Sequence, residues 1–174
     1  LHSFPTRRSS DLEELRDYIL NYNTTLERNN GIDSETGERR YPVRELLLSG
    51  GDPLVLNNAL LYRYMFAAGQ AKVNLLRIGS KELAFRPERL DEGLAETFAI
   101  IHEQFPHMHI NIVSHLSHPD EFLMRDAEGK YIPNENGPGY QWMPKSKEAV
   151  ERMLSLPYVT IETQTPIISK VNDD

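Results

Sequence analysis

Four short apolar runs, each separated from the next by a longer amphipathic stretch, constrain this chain more than any other feature. The runs are "VRELLLS" (43–49), "VNLLRIGS" (73–80), "HMHINIVSH" (107–115) and "YVTIETQTPII" (158–168). The nearly continuous apolar character of the first two predicts buried strands, the first covered on both faces, and the other two read as strands as well. Between them, residues 57–71, 86–105 and 146–156 carry apolar residues at helical spacing. Asn57 or Asn58, Pro87 and Ser146 stand where such helices would begin. Strand and helix alternate at about 30 to 40 residues per unit, which predicts parallel strands joined by right-handed crossovers. Two architectures satisfy that pattern: an open doubly wound sheet, or part of a (β/α) barrel.

A further helix precedes the first run. Leu12, Leu15, Tyr18, Ile19 and Tyr22 fall at i, i+3 and i+4 spacing. The polar stretch after it, with Gly31, predicts an exposed loop or small hairpin up to Pro42. The first twelve residues, "LHSFPTRRSSDL", do not begin with Met and show neither a signal-peptide core nor a period. They resemble a translated sequencing adapter, so residues 1–12 are expected to be non-native. Residues 13–174 are expected to form one incomplete α/β domain.

Composition narrows the function. The net charge of −7 argues against a nucleic-acid partner. No apolar run approaches the roughly 18 to 20 residues of a membrane span, and a cytoplasmic, small-molecule protein is expected. There is no cysteine, so disulfides and thiolate-bound metals are outside this chain's chemistry. The stretch from about 122 to 145 is too long and too rich in proline and glycine for an ordinary connection. It is expected to be an insertion packing over the strand ends through Phe122, Tyr131, Tyr140 and Trp142, as a lid, a partner surface or a decoration.

In both candidate architectures the ligand lies at the carboxyl ends of the strands. Polar or glycine residues follow every run there: Ser49, Gly50, Gly51 and Asp52; Arg77 with Gly79 and Ser80; His115 and His118; then Thr163, Gln164 and Thr165. The bare backbone of Gly50 and Gly51 suits either a close ligand or a tight turn capped by Asp52. Arg77 needs a carboxylate or a ligand anion. His115, His118 and a carboxylate from Asp120 or Glu121 would suit a mononuclear metal. His107 and His109 belong to the other end of the strand.

With "LLLSGGDPL", "LLRIGS", "SHLSHPDE" and "TQTPIISKVNDD" in that order, the sequence resembles the lysine 2,3-aminomutase-like branch of the radical S-adenosylmethionine (SAM) enzymes. The resemblance covers Val43 to Asp174 apart from the insertion. It implies a partial (β/α) barrel of the radical SAM type, about four parallel strands with crossover helices. It further implies an isomerase that cleaves SAM, forms a 5′-deoxyadenosyl radical and uses pyridoxal phosphate to move an amino group on an amino-acid substrate. Ser49, Gly50, Gly51 and Asp52 match the motif holding the amino-acid end of SAM, while Arg77, His115 and Gln164 match residues near SAM. The departures are as definite. The cysteines of the family's [4Fe–4S] cluster and its pyridoxal-binding lysine are absent here, and Lys81 stands where the family has arginine. The missing cysteines and lysine predict a truncated, inactive fragment without metal ligands or an assigned catalytic residue. A homo-oligomer formed through open sheet edges is also expected. Two other classes remain: a metal hydrolase built on His115 and His118, and a non-catalytic α/β binding module using the surface around Trp142.

Overall fold

The computed structural model describes residues 9–167. Helix α1 (Ser9–Arg28) precedes strand β1 (Glu45–Leu48), helix α2 (Asn58–Gln70) and strand β2 (Leu75–Ser80). A short helix α3 (Glu82–Phe85) leads to α4 (Glu92–Gln104), β3 (His109–Ser114), α5 (Pro144–Leu154) and β4 (Val159–Thr163). The four strands form one parallel sheet in the order β1-β2-β3-β4. Each strand lies beside its predecessor, so the sheet winds in one direction without the reversal of a doubly wound fold. This is the winding of a (β/α) barrel segment; among the described residues the sheet is open.

Strand register explains the two faces. Leu46, Leu76, Ile110 and Val159 share one row; Leu48, Ile78, Ile112 and Ile161 share the row two residues on. Both rows pack into a single core with Leu61, Met65, Leu94, Phe98 and Met153 of the helices. Leu61, Met65, Leu94 and Phe98 are wholly buried, each worth about 1.5–3 kcal/mol of transfer free energy. The alternate residues, among them Leu47, Arg77, Asn111 and Glu162, belong to the other face.

The expectation of a strand covered on both faces fails for β1, and β4 is likewise one-sided. Glu45 and Leu47 are exposed, as are Thr160, Glu162 and Thr163. Both strands are edges, and helices cover only one side. Only β3, in the middle, is buried from Ile110 to Ser114. The end of α1 is also later than expected. The helix continues to Arg28, five residues beyond Asn23, until Asn30 (φ 54°) and Gly31 (φ 78°) turn the chain. It also reaches into the segment set apart as non-native, although the origin of that segment is a separate matter from its fold.

Helix starts follow capping chemistry. Asn57 caps α2 by accepting from the Leu60 N–H, and Asp91 caps α4 by accepting from Leu94. Pro87 does not open α4 but begins a separate 3-10 turn, Pro87–Arg89. Ser146 is not a cap either. Pro144 takes the first position of α5, leaving Ser146 buried inside the first turn.

Candidate functional site at the carboxyl edge of the sheet

Residues 49–52 leave β1 as an exposed turn that closes on Asp52. Gly50 has φ +97°, a backbone conformation in which a side chain is strained, yet nothing lies within 4 Å of where its Cβ would stand. The glycine is thus required by the turn rather than by crowding, and its backbone faces open space. Asp52 then divides its carboxylate. Oδ1 accepts from the Leu54 N–H at 3.0 Å, capping the 3-10 turn Pro53–Val55; Oδ2 accepts from the Lys81 N–H at 2.7 Å. The capping alternative for Asp52 is therefore realised, and it reaches across to the next strand.

Beyond the strands the ladder continues. The His115 N–H donates to the Ser80 carbonyl and the Gln164 N–H to the Ser114 carbonyl, each at 2.9 Å. His115 brings its imidazole over Gly79: a Cβ built there would stand 3.5 Å from Nε2 and 3.9 Å from Leu47. The ends of β1, β2 and β3 thus meet around Gly79, with Gln164 exposed at the next strand end.

Lys81 ties these ends to the segment that follows β3. Its ammonium donates to Ser117 Oγ and to Glu121 Oε1, both at 2.9 Å, and lies 5.3 Å from the centre of the Phe85 ring. Glu121 Oε2 accepts from the Ser117 N–H at 2.7 Å. Burial opposes ionisation of Glu121. Lys81 and the backbone N–H groups of Ser117 and His118 outweigh it and hold the carboxyl below its ordinary range. Lys81 and Ser117 were not among the residues expected to form the site, and Glu121 was expected there only as a metal ligand. The signal was legible in "IGSK" and "SHPDE", a lysine and a pair of carboxylates at neighbouring strand ends.

Arg77 lies in the middle of β2 rather than at its end, and of its two expected partners it takes carboxylates of this chain. Its guanidinium reaches Glu45 Oε1 at 3.1 Å and Glu162 Oε2 at 3.0 Å, bridging β1 and β4 across the open face. Both carboxylates are about half exposed, so each pair contributes about 0–1 kcal/mol. Beneath it, Asn111 is buried with its Oδ1 unpartnered, as is the Arg77 Nε.

The mononuclear metal site is not assembled. Among the described residues no three His, Cys, Asp or Glu side chains group to hold a metal. The reason is local: Glu121 turns to Lys81, while Asp120 accepts from Arg125 Nε at 2.6 Å and the Tyr131 hydroxyl at 2.9 Å. Arg125 and Tyr131 hold the Asp120 carboxyl below its ordinary range. His118 Nδ1 is itself used, accepting from the Asp120 N–H. The expected aromatic residues of the insertion pair among themselves, Phe122 with Trp142 and Tyr131 with Tyr140. Isolated antiparallel bridges, Leu123 to Trp142 and Pro133 to Tyr140, fold the segment back on itself.

Fold and edge together define an α/β protein with polar, charged and glycine residues at the carboxyl ends of a singly wound parallel sheet. No family model matches the chain. It is similar to a protein of Aquifex aeolicus named "Putative L-lysine 2,3-aminomutase", 31% identical over 140 residues, which is 78% of this chain and 32% of that protein. It is also similar to the L-lysine 2,3-aminomutase of Methanococcus maripaludis, 29% identical over 132 residues, covering 75% of this chain and 24% of that protein. The chain spans a third or less of the length of these relatives.

Proposed function

We propose that this chain forms the SAM-holding part of an aminomutase, an isomerase that moves an amino group on an amino acid. The turn at Gly50 carries the reading: a ligand-accessible backbone at a strand end, in a chain similar to two proteins named for that activity. The exposed N–H groups of the turn suit a carboxylate such as the amino-acid end of SAM. His115 and Gln164, at the ends of β3 and β4 on the same edge, would complete the contact. When bound, SAM supplies the 5′-deoxyadenosyl group; the chain's own task is to bind and orient it.

The residues fit the other implied cofactors less well. With no cysteine, the chain offers no thiolate to a [4Fe–4S] cluster. For pyridoxal phosphate, the open-face rows of the four strands contain no lysine, and their one arginine, Arg77, already bridges two carboxylates.

Equilibrium dialysis with radiolabelled SAM tests the reading. Saturable binding is expected, weakened about fivefold or more by His115→Ala or Gln164→Ala, the loss of one polar contact each. No saturable binding by the unaltered chain, or equal binding by both variants, refutes it.

A further inference from the structure

Lys81 makes two kinds of bond in two directions. Its backbone N–H donates to Asp52, which caps the turn after β1; its ammonium donates to Ser117 and Glu121 in the segment after β3. Each partner is itself anchored. Asp52 holds the Leu54 N–H with its other oxygen, and Glu121 holds the Ser117 N–H with its other oxygen. The Lys81–Glu121 pair is largely shielded, with side chains 28% and 19% exposed, unlike the open pairs of Arg77. A shielded charged hydrogen bond with every partner engaged is stronger and more directional than a surface pair. The Phe85 ring adds a cation–π contact that limits the lysine stem.

We infer that Lys81 is a positioning residue, coupling the Gly50–Gly51 turn to the His115–Glu121 segment so that the two move as one body. It touches no ligand in this role. It fixes the distance between the bare backbone at Gly50 and the imidazole at His115, the two sides of the edge. The coupling stands on the bonds above; only the identity of what the coupled edge holds rests on the SAM reading. An ammonium rather than a guanidinium suits the position, because one point donor must serve Ser117, Glu121 and the ring together.

The experiment is amide hydrogen exchange on the whole chain, read residue by residue, with SAM dialysis alongside. Glu121→Gln and Lys81→Met remove the link from the β3 side without touching the turn after β1. Each is expected to speed exchange about tenfold or more at Ser117. The decisive readout is a parallel rise at the Lys81 and Leu54 amides, which are bonded to Asp52, while Phe98 and Ile101 in α4 stay unchanged. Lys81→Arg should restore part of the protection. A rise confined to Ser117, with Lys81 and Leu54 unmoved, overturns the coupling, because the pair would then be a local tether. If the unaltered chain binds no SAM, the functional reading fails and the exchange pattern still decides the coupling. If it binds SAM, Lys81→Met should weaken it about tenfold with α4 protection intact; unchanged affinity would overturn the positioning role.

Discussion

Asp52 and Lys81, at the ends of two different strands, meet at 2.7 Å through a side-chain oxygen and a backbone N–H. One residue of the turn after β1 is thereby fixed to the first residue after β2. Replacing Asp52 by Ala removes this bond and the cap on Leu54 together. The expected loss is about 1–3 kcal/mol, read from urea unfolding. Asp52→Asn keeps one acceptor and should lose less.

Gly50 and Gly79 should respond differently to alanine. Gly50 has φ +97°, so Gly50→Ala is expected to cost about 1–2 kcal/mol. At Gly79 the new methyl would make ordinary contacts, 3.5 Å from the His115 ring, and the cost should stay below about 1 kcal/mol. Comparing the two denaturation midpoints checks the contrast.

Gly69 is a stricter case. A Cβ there would collide with the Phe105 ring, where α2 packs beside the end of α4. Alanine ordinarily stabilises a helix interior by about 1 kcal/mol over glycine. Here overpacking of about 1–3 kcal/mol should outweigh that gain, so Gly69→Ala lowers the melting temperature, and Gly69→Ala with Phe105→Leu recovers part of it.

Acid should weaken the fold partly through Glu121. Its carboxyl lies below the ordinary glutamate value in the folded chain, so the unfolded chain binds that proton more tightly. The contribution is full above the unfolded value and is lost as pH falls through the folded one. Glu121→Gln should therefore flatten the acid limb of the stability curve, measured by urea unfolding from neutral pH downward. Asp120, also held low, should leave a residual slope.

Treatment with iron and sulfide under reducing conditions should leave the purified chain without the visible absorption of an iron–sulfur cluster, because there is no thiolate to bind one. A stable brown protein would refute this.

Much of the scaffold was legible from local pattern. The four apolar runs became the four strands, and Asn57 capped its helix as expected. The errors have physical causes. The near-continuous apolar run of β1 suggested cover on both faces, but as an edge strand it is packed by helices on one side alone and Glu45 and Leu47 stay exposed. Pro87 fits a first helical turn, yet Asp91 offered a side-chain cap at Leu94 and took the start of α4.

The candidate site was legible only in part. Residue types at strand ends pointed to the carboxyl edge, since the end of a parallel strand follows directly from its place in sequence. Which side chains face one another there could not be read. Arg77 was open to a ligand or a carboxylate, and two carboxylates from strands 32 and 85 residues away settled the pairing. Glu121 looked like a metal ligand beside His118 and instead became the partner of Lys81. By itself the sequence determined the strand–helix alternation, the glycine turn and the absence of thiolates, because periodicity, backbone freedom and composition are local properties. Only the tertiary structure decided the winding of the sheet, its half-open edge strands and the engagement of each charge. Those depend on register and on distances between strand ends, where a few ångströms separate a shielded ion pair from a free ligand group.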